Sequence, residues 1–350
     1  MKIIKSIFNN RKNTKNSTIK KYLNTFIKKE KFKIINVVGT NGKGSVSHYL
    51  TEGLSKKYKV GTFTSPHIFS ATERIKIQNV EINEETLESY IIKYTNTDLH
   101  FFAIMFLSAM EYFQEQKCDY VILEAGIGGT HDPSNILDGA IGVITSIGRD
   151  HMDLFGNTLL DVLNDKIGII NNKMNFYSGT NLGIEFNEII QKKCLEQKAK
   201  HILVKNEGRD YRIRNQRLAS AILKKEFNLN INFTEPMGRS KIQNTNNTKA
   251  ILDVAHNHSG IRATKEFLEN NKIEYDQVVL TISKRKEHSE IPDIFKGKDL
   301  FVYQLDESFV DSKEMNAINI EDLKYFYKNQ KKDTLYIGSF YSIGEILENE

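Results

Sequence analysis

The segment running from Phe32 to Leu54 constrains this chain more than any other. Phe32-Lys33-Ile34-Ile35-Asn36-Val37-Val38 is short and rich in β-branched residues, the pattern of a strand buried on both faces of a parallel sheet. Gly39-Thr40-Asn41-Gly42-Lys43-Gly44-Ser45 follows as a glycine-rich turn, and residues 46–54 space their apolar side chains as a helix does. Strand, turn and helix in that order aim backbone N–H groups at an anion, with Lys43 as a point charge and Ser45 near a metal ion. The segment therefore reads as a phosphate site. The common P-loop pattern has Ser or Thr directly after the lysine, whereas here Gly44 intervenes. On these residues alone, a nucleotide loop and a mere tight connection both stand.

The same layout recurs along the chain. Residues 59–64 predict a second strand ending at Ser65-Pro66-His67, residues 120–123 a third ending at Glu124, and residues 140–146 a fourth ending before Gly148-Arg149-Asp150-His151. Open α/β sheets place ligands at such strand ends. Helices are expected over 17–29, with Tyr22, Leu23 and Phe26 inward, over 83–93 with Asn83 as cap, over 101–114, and over 161–170 carrying Lys166. The fold class is α/β, with a mostly parallel, doubly wound sheet. Residues 171–232 read as shorter strands and a helix around 216–225. Thr234-Glu235-Pro236-Met237-Gly238-Arg239 has the Pro and Gly of an interdomain connection, so the domains are expected at 1–234 and 235–350. Strands over 250–253, 277–282 and 300–304 and a helix over 259–269 make the second a smaller α/β domain.

A length of 350 residues gives room for two cores, and 27% charged with 39% hydrophobic residues excludes the disordered class. The net charge of +5 comes from lysines spread along the whole chain, which reads as a solvated surface and not as a nucleic-acid patch. Cys118 and Cys194 lack metal-ligand spacing, so reduced thiols and a cytoplasmic location are expected. The first apolar run is broken by charges too early for a signal peptide, and residues 101–110 are too few to cross a bilayer. Small-molecule partners are expected, without nucleic acid or membrane, for a monomeric protein.

Five segments now point one way. Gly39-Thr40-Asn41-Gly42-Lys43-Gly44-Ser45, Thr64-Ser65-Pro66-His67, Glu124-Ala125-Gly126-Ile127-Gly128-Gly129, Ser146-Ile147-Gly148-Arg149-Asp150-His151 and Asp253-Val254-Ala255-His256-Asn257 resemble, in order, the signatures of the folylpolyglutamate synthase and dihydrofolate synthase family, one of the Mur-type amide ligases. Thr72-Glu73-Arg74-Ile75 and Gly338-Ser339-Phe340-Tyr341 extend the likeness over nearly the whole chain. The resemblance implies a Mur-ligase-like P-loop domain plus a smaller C-terminal α/β domain. It implies a reaction in which ATP phosphorylates a carboxylate of a folate or pteroate and the amine of glutamate attacks the acyl phosphate, giving the amide, ADP and phosphate.

By the same resemblance, Thr40, Asn41, Gly42, Lys43, Gly44 and Ser45 hold the phosphates, and Arg239, Asp253 and Asn257 contact the nucleotide from the second domain. Ser65, Glu124 and His151 fall on magnesium ligands, two ions in all, and a monovalent cation is also admitted. Lys166 lies where the family carbamylates a lysine, and joins Lys43 and His256 as the catalytic set. Without the motif it would read as a surface lysine. His67, Arg74 and Asp132 fall on substrate-binding positions. For His67 and Asp132 a second reading is that they fix their own turns, and for His256 that it is an ordinary loop histidine.

Departures are specific. Thr130 stands where the family usually has Arg, Asp165 replaces the Glu before the modified lysine, Ala219 falls where an Asn commonly faces the nucleotide, and residues 101–106 lack a carboxylate. These lie around substrate and base contacts, so the reaction class is better defined than the acceptor. Folate extension leads, dihydrofolate synthesis or both activities are alternatives, and a phosphotransferase or a non-catalytic nucleotide binder are readings of other classes. The 253–257 motif argues against the phosphotransferase, and the presence of Lys43, Glu124, His151 and Lys166 against the non-catalytic binder.

Overall fold

The structure is a computed structural model that describes residues 14–27, 32–245 and 248–348, together with Ile4 and Ile7. It divides into two compact units, one of Met1–Ile147, Leu160–Glu207 and Asn215–Thr234, the other of Gly148–Leu159, Gly208–Arg214 and Glu235–Glu350.

In the first unit, the described strands are β1 (Lys33–Val38), β2 (Val60–Phe63), β3 (Ile75–Ile77), β4 (Val80–Glu81), β5 (Tyr120–Glu124), β6 (Ile141–Ile144), β7 (Asn175–Gly179) and β8 (Lys200–Val204). They form one sheet in the order β4-β3-β2-β5-β1-β6-β7-β8. All pairs from β2 to β8 are parallel, and β3 and β4 add an antiparallel edge. The β-branched run of β1 explains its central place, because it has apolar residues for both faces. Ile34 joins the core under the helix Phe101–Glu115, while Ile35 and Val37 join the core under the helix Lys43–Leu54. Leu50 and Leu54 are fully buried there, each contributing about 1.5–3 kcal/mol.

The register matters for function. Val37 pairs with Glu124 and Val38 with Ile144, so β5, β1 and β6 end side by side. Helix starts follow their local chemistry: Asn83 accepts the Thr86 N–H at 2.8 Å and opens the helix Glu84–Ile92, as expected. The helix Asn16–Phe26 buries Leu23, with Tyr22 and Phe26 half-buried beside it, and residues 28 and 29 of the expected helix lie outside the described residues. The expected helix over 161–170 is α-helical over Leu159–Lys166 and tightens to a 3-10 turn over Ile167–Ile169.

In the second unit, β9 (Lys241–Thr245), β10 (Thr248–Asp253), β11 (Gln277–Leu280), β12 (Asp299–Tyr303), β13 (Ile318–Ile320) and β14 (Thr334–Ile337) form a sheet in the order β13-β12-β11-β14-β10-β9. Only β9 is antiparallel among these described strands. Both sheets are thus mostly parallel, in the α/β class the sequence predicts.

Candidate active site

The phosphate loop is fixed by its neighbour strand. Gly39 has φ 148° and Gly42 φ 85°, backbone that glycine alone adopts readily. A Cβ on Gly39 would lie 2.0 Å from Thr145 Oγ1, at the end of β6. The Thr145 hydroxyl donates to the Asn41 carbonyl (2.6 Å), as does that of Ser146 (2.9 Å). Ser146 Oγ accepts the Asn41 N–H (2.8 Å), and the Ser146 carbonyl accepts the Thr40 N–H (2.9 Å). Lys43 donates its ammonium to the carbonyls of Gly39 (3.1 Å) and Thr40 (3.3 Å), which keeps the charge inside the loop. The helix starts at Lys43 and its first intrahelical bond runs from Val46 N–H to Gly42 O (3.0 Å), so the N–H groups of Lys43, Gly44 and Ser45 head the helix. Gly44 thus sits in the first helical turn. Backbone donors, a helix start and one ammonium suit a polyphosphate.

Glu124 ends β5, and its Oε2 accepts the Ser65 N–H at 3.0 Å. The carboxylate is buried at 4% exposure. Among the described residues no group of three or more His, Cys, Asp or Glu could hold a metal. A single carboxylate beside a serine is a donor set that magnesium accepts, because it completes its shell with phosphate and water. Glu124 and Ser65 fit such an ion.

The glycine loop after Glu124 is held from within. Both oxygens of buried Asp132 serve it, Oδ2 accepting from Gly126 N–H (2.9 Å) and Ile127 N–H (3.0 Å), Oδ1 from Ser134 N–H (2.9 Å). Burial pushes the Asp132 carboxyl up, against the pull of these donors. This geometry carries the turn-fixing reading of Asp132. Thr130 sends its N–H (3.0 Å) and hydroxyl (2.8 Å) to the Asp165 carbonyl, and Asn135 donates to the Gly168 carbonyl (3.3 Å). The loop therefore clamps the backbone on either side of Lys166. Lys166 is buried at 5% exposure, unlike an ordinary surface lysine. Asp165 Oδ2 is enclosed without a hydrogen-bond donor among the described residues.

Arg74 donates Nε–H to His67 Nδ1 at 2.9 Å, and its guanidinium lies 5.2 Å from the Phe101 ring centroid. Burial, then the Arg74 charge, brings the His67 pKa down from 6.5 to about 4, so the ring is a neutral acceptor at pH 7. Between those two values the unfolded chain binds more protons than the folded one, so His67 makes stability fall as pH drops from about 6.5 towards 4. His67→Gln keeps an acceptor for Arg74 and cannot protonate. Its melting temperature should decline less over that range than the wild type's; identical slopes would remove His67 from the acid response.

In the second unit, Asp253 ends β10 and is saturated with donors: Oδ2 accepts from Ser240 N–H and Oγ (both 2.8 Å) and Tyr211 OH (3.2 Å), Oδ1 from Ala255 N–H (2.8 Å). Asn257 caps the helix His258–Asn270 by accepting the Gly260 N–H (2.8 Å), and donates Nδ2–H to Asp150 Oδ2 (2.9 Å). His256 Nδ1 meets the Val254 carbonyl (3.0 Å), and its ring lies 5.5 Å from that of Phe340, which also carries the Arg239 guanidinium at 5.4 Å. His151 has φ 54°, an uncommon backbone for a non-glycine residue. Lys286 donates to Asp150 Oδ1 (2.5 Å) and meets His151 Nε2 (3.1 Å). Burial would raise the Asp150 pKa, but Lys286, His151 and His256 outweigh it and hold the carboxyl at about 2.

The first unit thus joins residues 40–45 to the level of Glu124 and Ser65, and the second gathers His151, Asn257 and His256 around Asp150. Sequence reasoning passed over Lys286, Asp150, Thr145, Ser146 and Asn215. Lys286 follows β11 in Ser283-Lys284-Arg285-Lys286, where the strand-end rule would have flagged it. Ala219 belongs to the apolar core, and the carboxamide that meets the phosphate loop is Asn215, one turn earlier, whose Oδ1 lies 2.6 Å from a Cβ placed on Gly42.

Residues 37–252 match the Mur ligase middle domain. The chain belongs to the Mur ligase middle-domain family. Among its relatives, the dihydrofolate synthase/folylpolyglutamate synthase of Bacillus subtilis is 38% identical over 153 residues, 40% of this chain and 36% of that protein. The dihydrofolate synthetase of Saccharomyces cerevisiae is 34% identical over 179 residues, 46% of this chain and 40% of that one. The chain therefore matches less than half the length of these relatives. The bifunctional folylpolyglutamate synthase/dihydrofolate synthase of Yersinia pestis, complexed with AMPPNP and Mn ion, shares the fold at TM-score 0.83 and 20% identity, covering 99% of this chain and 96% of that one. The folylpolyglutamate synthase of Thermotoga maritima does so at 0.80 and 21%, covering 99% and 95%. Among the described residues no helix is long and apolar enough to cross a membrane.

Proposed function

We propose that this Mur ligase chain is an ATP-dependent amide ligase that adds L-glutamate to a reduced folate, a folylpolyglutamate synthase. The observation that carries the reading is the loop in which Lys43 lies on the carbonyls of Gly39 and Thr40 at a helix start, with Glu124 and Ser65 paired at the adjacent strand end. A carboxylate and an amine do not condense in water without activation, and a site built for phosphate and a hard cation supplies what that activation needs. Support comes from relatives bound to AMPPNP, Mn and L-glutamate, and, for Escherichia coli, to DHPP and ADP. Dihydrofolate synthesis from dihydropteroate is the second reading, favoured by the yeast relative.

In this proposal residues 40–45 hold and orient the phosphates, and Glu124 and Ser65 hold magnesium, which when bound neutralises phosphate charge. Lys166, buried where the 130–135 loop clamps the backbone on either side of it, is read as the carbamylated lysine. In the second unit Arg239, Asp253 and Asn257 are read as nucleotide residues, His256 as catalytic and His151 as a metal ligand. Arg74, with His67 fixed beneath it, is read as a substrate residue. ADP release should be measured with ATP, magnesium and glutamate, adding tetrahydrofolate, dihydropteroate or neither. Release that depends on tetrahydrofolate supports folate extension, dependence on dihydropteroate supports the second reading, and release indifferent to both sinks the ligase reading.

A further inference from the structure

A cavity of about 390 Å³ lies in the first unit between the helix Ile184–Glu196 and one face of β8, an edge strand of its sheet. Thr180, Ile184, Glu188, Gln191, His201 and Leu203 are among its walls. Hydrogen bonds beneath it fix every proton in turn. Asn187 donates its amide to the carbonyls of Gly183 (2.7 Å) and Gly179 (3.1 Å), so its Oδ1 is the acceptor. Ser178, fully buried, donates its only hydroxyl proton to that oxygen (2.5 Å). Its Oγ, 2.7 Å from His201 Nε2, can then only accept, so His201 carries its proton on Nε2. Nδ1 is left with a lone pair that receives no hydrogen bond among the described residues. Burial lowers the His201 pKa, which keeps the ring neutral.

The direction of these protons excludes a nucleophilic Ser-His pair, in which the imidazole must accept from the hydroxyl and not donate to it. It leaves Nδ1 as an acceptor on a ring that lines the cavity. The cavity's only charged lining residue among those described is Glu188, and Ile184 and Leu203, 81% and 51% exposed, give it an apolar mouth. An anion finds no cation there. We propose that this cavity binds a small primary amine with a short apolar body, its ammonium donating to His201 Nδ1 beside the Glu188 carboxylate and its alkyl chain lying between Ile184 and Leu203. The size suits a small ligand, and ammonium donors to a neutral imidazole and a carboxylate make charge-assisted bonds.

The test uses the full chain with 15N-labelled histidine and n-butylammonium as probe, against n-butanol and butyrate. The free protein should show the Nε2–H tautomer at His201, and n-butylammonium alone should shift the His201 Nδ1 resonance. Glu188→Gln, at an exposed position, should weaken that binding about tenfold, the loss of one partly exposed charge-assisted contact. An Nδ1–H tautomer, no shift with n-butylammonium, an equal shift with butanol or butyrate, or undiminished binding in Glu188→Gln each overturns the proposal.

Discussion

Lys43→Ala is expected to lower ligase turnover by at least about a hundredfold while the protein stays folded. In the proposed reaction, an ammonium placed against developing phosphate charge is worth about 3–4 kcal/mol of barrier, and no other cation stands in the 39–45 loop. Stability should change little, because what Lys43 gives the fold is two bonds at 3.1 and 3.3 Å to the carbonyls of Gly39 and Thr40, on a half-buried side chain. ADP release and a melting curve on the same sample separate these effects. Normal turnover in a folded variant would remove Lys43 from the mechanism, and a variant that fails to fold would make it a structural residue.

Gly39→Ala should have the largest effect on stability, about 3 kcal/mol or more. Two causes add. At φ 148° an L-residue is strained by about 1–3 kcal/mol, and the new methyl would meet Thr145 Oγ1 at 2.0 Å, against a backbone that β6 holds in place. Gly297→Ala is the control, because Gly297 also has positive φ, 88°, but has open space where the methyl would go. It should cost about 1 kcal/mol from strain alone. Urea unfolding midpoints of the two variants would compare strain alone with strain plus clash, and equal losses would show that the contact with Thr145 yields freely.

Much of the first unit was legible because its signals are local. β1, β2, β5 and β6 are apolar runs that stop at glycine, proline or carboxylate, and the residues at their ends are the ones gathered at the site. The second unit was read less completely. β14 is a four-residue strand that owes its place to pairing between β10 and β11, and β9 exists as half of a hairpin with β10. Neither has a strong pattern of its own. The side chains missed in each unit share a cause: Thr145 and Ser146 in the first and Lys286 in the second act through hydrogen bonds to residues about a hundred or more positions away, which no local spacing encodes. Ala219 lies in the apolar core, and Asn215, four positions earlier on the same helix, is the carboxamide beside Gly42. A helix repeats its face every three to four residues, so positions 215 and 219 share one face and a reading by column does not separate them.

The attachment of the 39–45 loop to the hydroxyls of Thr145 and Ser146 has a thermodynamic consequence. Ordering a loose backbone costs about 1–2 kcal/mol per residue, and a loop that had to fold around its ligand would lose that from its affinity. Here the Thr40 N–H and the Asn41 N–H and carbonyl are already tied to Thr145 and Ser146, the two residues after β6. The ordering is completed when the chain folds, so in the proposed function an anion meets a loop already shaped and its binding free energy is not spent on ordering the backbone.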